Sequence, residues 1–111
     1  MRVFLFAAAA CALVPLPAAA QPSPETSQAQ DLTNCAGAVA AQAGVNVVTF
    51  AGNGGEWSDL LAAILARLNR EPGVEGMTGR YAASAAREFW AEQPRAEREA
   101  YAEGCRERFG G

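Results

Sequence analysis

The sequence predicts an all-α fold, a small four-helix, bundle-like domain in which one disulfide joins the first helix to the last. Three observations support this prediction. Apolar residues recur with helical spacing in four segments, which glycine and proline residues separate. The β-prone run Val45–Phe50 has no second β-rich segment with which it could pair in a sheet. Finally, Cys35 and Cys105 lie on the apolar faces of the first and fourth predicted helices.

The N-terminal segment has the anatomy of a cleaved signal peptide, which we assign to residues 1–20. Arg2 supplies a positive charge, an apolar stretch follows, and residues 18–20 are the small alanines that signal peptidase accepts. A retained membrane anchor is the alternative. The apolar run is shorter than the ~20 residues of a spanning helix, and Pro15 and Pro17 interrupt it. We therefore expect an exported protein, periplasmic or secreted, with no integral membrane span after cleavage.

A lipoprotein is a further alternative for the same segment, with Cys11 as the acylated residue. The three alanines before Cys11 are small, but the large aliphatic residue normally found three positions before such a cysteine is missing. The apolar stretch ahead of Cys11 is also very short. The sequence therefore favours signal cleavage over lipidation.

The composition of the chain after residue 20 excludes some classes of partner. The remaining 91 residues carry eight arginines and twelve acidic groups, a formal charge of −4, with no lysine and no histidine. Nucleic acid binding requires a basic patch, so this balance argues against it. It also argues against binding to anionic lipid surfaces. A chain of this length forms one small domain.

A polar leader and then a single helical domain are predicted to follow the signal peptide. Residues 21–30 contain two prolines and no large apolar residue, which is typical of a disordered leader, and residues 31–111 form the domain. The first helix is predicted to begin with Asp31 as its N-cap and to end at Gly44. Its apolar face comprises Leu32, Cys35, Ala36, Val39 and Ala43.

The next two elements are a long loop and the strongest helix. We predict that Val45–Gly55 is a loop whose valine and phenylalanine side chains tuck under the helices. Loops of this length are often functional. The helix is predicted over Glu56–Arg70, and Pro72 with Gly73 ends it. Its apolar stripe comprises Trp57, Leu60, Leu61, Ile64, Leu65 and Leu68.

Two more helices complete the domain. The third is predicted to begin with Thr78 as its N-cap. Its apolar face comprises Tyr81, Ala82, Ala85, Ala86, Phe89 and Trp90. Pro94 is predicted in the first turn of the fourth helix. The apolar face of that helix comprises Tyr101, Cys105 and Phe109.

The cysteine pair is predicted to be a structural disulfide, because an exported protein folds in an oxidising compartment. A bond between Cys35 and Cys105 closes a loop of about 70 residues and contributes ~4 kcal/mol in the chain-entropy description. The alternative is a redox-active pair. No C-x-x-C spacing is present, and no His or Lys lies near either cysteine to lower a thiol pKa.

The inventory of catalytic residues is poor. Without histidine there is no Ser–His or Cys–His pair and no imidazole ligand for zinc, so we predict no enzyme, no metal and no cofactor. The acidic rows of the last two helices leave an alternative, a carboxylate-based enzyme or a divalent-cation site. These rows comprise Glu88, Glu92, Glu99, Glu103 and Glu107. Because arginines interleave with them, a solvated, ion-paired face is the favoured interpretation.

The glycine-rich segment of the loop and the aromatic side chains remain as candidate contact regions. Gly52–Gly55 precedes a helix, but no strand precedes it and no G-K-[ST] follows, so a phosphate loop is not indicated. The aromatic residues could line a small apolar pocket. Adjacent Phe89 and Trp90 cannot face the same way, and we expect Trp90 to be exposed. The candidate partner or ligand contacts are Phe50, Asn53, Trp57 and Trp90.

These observations predict a non-enzymatic exported module that binds a partner protein or an apolar ligand, with Val45–Gly55 and Trp57 as the contact region. In size and class the chain is similar to small exported helical proteins with one disulfide, among them acid-stress chaperones. That resemblance implies an alternative activity as an acid-stress holdase, and it carries over no functional residue. Twelve carboxylates that lose their charge in acid would be its switch.

Overall fold

The computed structural model describes residues 26–52 and 54–110, and these residues form four α-helices and no strand. The helices are α1 (Ser27–Ala43), α2 (Glu56–Leu68), α3 (Met77–Ala91) and α4 (Arg95–Phe109). A disulfide joins Cys35 of α1 to Cys105 of α4, with 5.6 Å between their Cα atoms. The predicted all-α fold with its first and last helices linked is therefore confirmed. The predicted signal peptide with Cys11, the leader residues 21–25 and Asn53 lie outside the described residues.

Helix α1 begins five residues earlier than predicted, when its observed and predicted N-caps are compared. Thr26 is its N-cap, and the Thr26 hydroxyl accepts a hydrogen bond of 2.9 Å from the N–H of Ala29. The N-cap predicted at Asp31 is wrong, because residues 27–30 already form the first turn and Ala29 is fully buried. The predicted end is confirmed. Gly44 adopts the left-handed conformation with φ 72°, and its N–H donates to the Ala40 carbonyl.

Helix α1 is the centre of the fold, and the other three helices pack around it. Residues 35–40 are buried on every side, as expected for a helix enclosed by others. Near its C-terminal end, Gln42 accepts a hydrogen bond of 2.6 Å from Arg98 of α4. Near its N-terminal end, Asp31 forms an ion pair with Arg108 of α4. These two contacts show that α4 runs antiparallel to α1.

The apolar stripe predicted for α2 is confirmed. Leu61 and Ile64 are fully buried, Leu68 is 1% exposed, and Trp57 at the start of the helix is half-buried. The helix ends at Leu68, two residues before the predicted Arg70. Its large aliphatic side chains join the apolar core, chiefly against α1, and this burial is the main favourable term in folding a domain of this size.

The start predicted for α3 is displaced by two residues. Gly76 rather than Thr78 is the N-cap, and Thr78 lies within the first turn. Gly76 has φ 60°, a conformation that residues with a side chain rarely adopt. A glycine therefore makes the sharp entry into α3, and no side chain caps this helix.

The apolar face predicted for α3 is wrong for Tyr81, Ala85 and Phe89, which are exposed. Its other members, Ala82, Ala86 and Trp90, are partly buried. Tyr81 is 61% exposed and Phe89 is 55% exposed, whereas the buried residues of the helix are Gly79 and Ala83. The cause is the close approach of α3 to α1. A Cβ atom placed on Gly37 of α1 would lie 2.5 Å from the Cβ of Ala86. Only the small-residue side of α3 fits at this distance, so its aromatic side faces outward.

Helix α4 follows the predicted pattern, with Cys105 fully buried, Phe109 8% exposed and Tyr101 half-buried against the core. Pro94 is the N-cap residue rather than a member of the first turn, since its ψ of 141° is not helical. One apolar core joins α1, α2, α3 and α4. None of the helices in the described part of the chain is long and apolar enough to cross a membrane.

Candidate binding groove between α2 and α3

A surface groove of about 560 Å³ lies where the C-terminal half of α2 meets the N-terminal end of α3. The loop between α1 and α2 forms one of its sides. Its lining includes the apolar residues Phe50, Ala51, Leu65, Ala66, Val74 and Met77, and polar atoms contribute almost as much of its surface as apolar ones. The volume lies within the ~300–1,000 Å³ of typical ligand pockets. We call this feature the α2–α3 groove.

The loop beside the groove is ordered by its own side chains. Val47 is fully buried and Phe50 is 7% exposed, so the predicted tucking of these side chains is confirmed. The amide oxygen of Asn46 accepts hydrogen bonds from the N–H groups of Val48 and Thr49, at 2.9 and 3.2 Å. Such an Asx turn fixes the backbone locally. The side of the groove that Phe50 forms is therefore preformed.

Arg80 of α3 fastens this loop to the rest of the fold. Its Nη1 donates hydrogen bonds to the carbonyl oxygens of Val47 and Phe50, at 2.9 and 2.7 Å. Hydrogen bonds from a charged donor are stronger than neutral ones. The guanidinium lines the groove but is engaged with the loop, so it acts as a positioning group. Sequence reasoning did not single out Arg80.

The opposite end of the groove is held by the turn that connects α2 to α3. The Asn69 amide oxygen accepts a hydrogen bond of 2.6 Å from the N–H of Gly76. Gly79 packs so closely on the turn that a Cβ there would lie 2.2 Å from the Val74 carbonyl oxygen. Only glycine fits at this close approach. Both ends of the groove are thus fixed by specific contacts.

The chemistry of the groove suits an apolar guest. Its floor contains Leu65 and Leu68, its α2 side presents the exposed methyl groups of Ala62 and Ala66, and Met77 stands at the rim with 45% exposure. Methionine adapts its shape readily to apolar partners. The groove can bind an apolar group by removing it from water.

The candidate contacts predicted from the sequence do not form one site. Phe50 lines the α2–α3 groove but is buried, and Asn53 lies outside the described residues. Trp57 lines a different cavity of about 530 Å³ between α1, α2 and α4. Trp90 lies between α3 and α4, where its ring stacks on Tyr101. Of the predicted contacts that the structure describes, Phe50 is therefore the one that belongs to the groove.

Trp57 is covered by a charged cluster rather than presented to a partner. The Arg106 guanidinium lies over its indole ring, 4.1 Å from the ring centroid. Arg106 also forms an ion pair of 3.1 Å with Glu103 and a second ion pair with Glu56. One face of Trp57 is consequently occupied within the molecule.

The expected exposure of Trp90 is wrong, because its neighbour Phe89 takes the outward position. The Trp90 and Tyr101 ring centroids are 4.4 Å apart with 18° between the planes, so Trp90 is half-buried between α3 and α4. Its indole Nε1 is buried without a hydrogen-bond partner in the part of the chain that the structure describes. Phe89 meets Trp90 edge to face and is 55% exposed.

The acidic rows of α3 and α4 are on the surface. Glu88 and Glu92 are exposed, and Glu99 forms an ion pair of 2.9 Å with Arg95. Glu103 pairs with Arg106, as the solvated interpretation predicts. Within residues 26–52 and 54–110, no group of three His, Cys, Asp or Glu residues is arranged to hold a metal ion.

A cation covers the disulfide, which the spacing of the cysteines did not indicate. Arg108 Nη2 lies 3.2 Å from Cys35 Sγ and 3.9 Å from Cys105 Sγ, and the Arg108 guanidinium is ion-paired with Asp31. Both cysteines are fully buried. Tyr101 lies in the same neighbourhood. Burial raises the pKa of the Tyr101 phenol above its ordinary value, the Asp31 carboxylate adds to this rise, and Arg108 opposes it.

No protein-family model matches this chain, and neither the curated proteins nor the solved structures contain a significant match. The geometry of the α2–α3 groove is therefore the main guide to what the protein does.

Proposed function

We propose that this chain is a small, exported, non-enzymatic binding module that takes an apolar side chain of a partner protein in the α2–α3 groove. The single observation that supports this most is the groove itself. It is preformed, about 560 Å³ in volume, and it presents the apolar side chains of α2 and α3 beside polar groups. Arg80 holds one of its sides in place through hydrogen bonds to two loop carbonyls.

A protein partner fits the groove better than a small free ligand. Sites for small molecules typically enclose 70–90% or more of the ligand surface. Here the exposed residues Ala51, Ala62 and Ala66 leave the groove open along one side. An apolar side chain that projects from a protein surface requires only such a half-open site, since the rest of the partner covers the opening.

Export is supported by the disulfide and by the N-terminal sequence. A disulfide between two fully buried cysteines is typical of proteins that fold in an oxidising compartment. Expression with periplasmic fractionation tests this part of the proposal. We expect the recovered protein to begin at Gln21, as shown by its intact mass, and a mass that includes residues 1–20 would contradict it.

A matched pair of substitutions on α2 tests the groove. Ala66 lines it, whereas Ala63 is also exposed but does not. Ala66→Arg should fill the groove with a charged side chain, and Ala63→Arg adds the same charge outside it. The first readout is the fluorescence of the neutral probe N-phenyl-1-naphthylamine. We expect enhancement with the wild type and Ala63→Arg, and its loss with Ala66→Arg.

The second readout concerns the partner directly. A photo-cross-linking amino acid at position 66 should give one discrete protein adduct in cell envelopes, and the same amino acid at position 63 should not. Equal adducts at both positions would show that capture is unspecific and would contradict the groove. Probe binding that survives Ala66→Arg would contradict it independently of any partner.

A further inference from the structure

The disulfide between α1 and α4 lies directly beneath a charged side chain. Nη2 of Arg108 is 3.2 Å from Cys35 Sγ and 3.9 Å from Cys105 Sγ. Both cysteines are fully buried, whereas 45% of the Arg108 side chain is exposed. On this side of the molecule the cover over the sulfur atoms is therefore one flexible side chain, and a rotation of that side chain uncovers them.

Arg108 is a cation at the place where reduction of the bond creates negative charge. Cleavage of a disulfide leaves a thiolate, and a neighbouring cation stabilises a thiolate relative to the thiol. Cys35 Sγ is the sulfur closer to Nη2, so the Cys35 thiolate gains more than the Cys105 thiolate. A guanidinium stays protonated in proteins, so its charge is constant across the physiological pH range.

Two titratable groups that face Arg108 modify its effect on the sulfur atoms. The Asp31 carboxylate of α1 forms an ion pair with Nη1 of Arg108 and opposes the stabilisation of a thiolate. Nη2 donates directly to Cys35 Sγ, which puts the positive partner of that ion pair against the sulfur. The Tyr101 phenol of α4 also contacts Arg108, and it is neutral at pH 7 because burial raises its pKa above 10.0. The cation therefore acts on Cys35 at contact distance, with one carboxylate behind it.

We propose that the bond between Cys35 and Cys105 is a redox-sensitive clasp that a dithiol reductant opens, with Arg108 as the positioning residue for the exchange. A thiolate of the dithiol attacks Cys105 Sγ, and the disulfide breaks with its electron pair on Cys35 Sγ beneath Arg108. The second thiol of the dithiol then attacks the reductant's own sulfur in the mixed disulfide. Its proton passes to the Cys105 thiolate that leaves. Two electrons have moved to the cysteine pair, and the dithiol departs as a disulfide.

Opening the clasp removes the covalent link between α4 and the centre of the fold. Helix α4 packs less extensively on α1 than α3 does, and its other ties to α1 include the hydrogen bond from Arg98 to Gln42. Reduction should therefore loosen α4 before the other helices. The clasp goes beyond the proposed function, because the groove is lined by α2, α3 and the segments that precede them.

Equilibration of the oxidised protein with mixtures of reduced and oxidised dithiothreitol, without denaturant, tests the clasp. Intact mass after acid quenching and alkylation measures the fraction reduced. We expect reversible reduction with the helices retained in circular dichroism. An opposite charge at contact distance shifts a pKa by about 1–3 units, and exposure together with Asp31 places Arg108 at the low end. Arg108→Met should therefore shift the equilibrium constant about 10-fold towards the disulfide.

Matched variants separate the charge of Arg108 from a general effect on stability. Arg95→Met removes an exposed, ion-paired arginine from the same helix and should leave the equilibrium constant unchanged. Arg108→Lys should restore most of the wild-type value, and Asp31→Asn should shift the constant the opposite way from Arg108→Met. Thiolate absorbance near 240 nm gives a spectroscopic readout in the reduced proteins. Its midpoint should lie at lower pH in the wild type than in Arg108→Met, and Arg108→Gln serves if Arg108→Met fails to fold.

Two results would overturn the clasp. One is a bond that dithiothreitol opens only when the whole chain unfolds, as judged by circular dichroism. The other is an equilibrium constant and a thiolate midpoint that Arg108→Met and Arg95→Met change equally. Probe binding in the groove is measured on the oxidised protein, so failure of the clasp is distinguishable from failure of the proposed function.

Discussion

Replacement of Gly37 by alanine sets two effects of opposite sign against each other at the contact between α1 and α3. In an open helix the change stabilises by about 1 kcal/mol, because alanine is the better helix former. Here the new Cβ would lie 2.5 Å from the Cβ of Ala86 and 2.6 Å from the Arg87 backbone nitrogen. Carbon atoms pack best at about 3.5–4.0 Å, so the helices must separate by about 1 Å.

The steric effect should win. Overpacking a tight core typically costs about 1–3 kcal/mol, and a backbone obstacle belongs in the upper part of that range because it cannot rotate away. After subtraction of the helix-propensity gain, we expect Gly37→Ala to lower the free energy of unfolding by about 1–2 kcal/mol. Guanidinium unfolding of the oxidised protein, followed by circular dichroism, measures this change.

Gly104 in α4 provides the matched control, because nothing lies within 4 Å of a Cβ placed there. Gly104→Ala should raise the free energy of unfolding by up to about 1 kcal/mol. In an Ala86→Gly background the cost of Gly37→Ala should fall but not vanish, since the backbone contacts persist. If Gly37→Ala stabilises the protein as much as Gly104→Ala, the explanation of the small-residue contact is refuted.

Three other predictions concern the disulfide, the loop and the response to alkali. The double variant Cys35→Ala/Cys105→Ala should lose about 4 kcal/mol of unfolding free energy in denaturant titrations, because the bond closes a loop spanning 70 residues; a loss below about 1 kcal/mol would contradict a structural role. Arg80→Met should speed amide hydrogen exchange in the loop between α1 and α2, because two carbonyls of that loop lose their hydrogen-bond donor. Exchange in α4 should stay unchanged. Equal acceleration in both segments would instead indicate global destabilisation. The pKa of Tyr101 is raised in the folded state, mainly by burial, so its contribution to stability is present below pH 10.0 and is lost as pH rises through the folded pKa. The thermal unfolding midpoint of Tyr101→Phe should therefore fall less steeply above pH 10.0 than that of the wild type. An equally steep fall in both proteins would show that other groups cause it.

Much of the fold could be predicted from local pattern. The stripe of α2 is made of leucine and isoleucine, which are almost always buried, and Leu61 and Ile64 are fully buried as expected. The left-handed Gly44 ends α1 at the predicted residue. These signals lie within one or two turns of the chain and require no knowledge of neighbours.

The candidate site could be predicted only in part. Phe50 was assigned to a contact and was also expected to tuck under the helices, and it both lines the groove and is buried. Asn46 carried a detectable turn signal. Arg80 carried no such signal. The carbonyls that it binds belong to Val47 and Phe50, which lie 33 and 30 positions earlier in the chain. Contacts at that separation exist only once the helices have packed.

The sequence by itself determined the four helices, the stripe of α2, and the pairing of Cys35 with Cys105. Each of these follows from residue type and spacing, through burial of large aliphatic groups and oxidation of the two cysteines. Only the tertiary structure decided which side of α3 faces the core. Hydropathy favours burial of Tyr81 and Phe89, but the approach of Gly37 admits nothing larger than small side chains, so the aromatic side faces out. The exposed aromatic side chains of α3 are there because packing distance outweighs hydropathy at that contact.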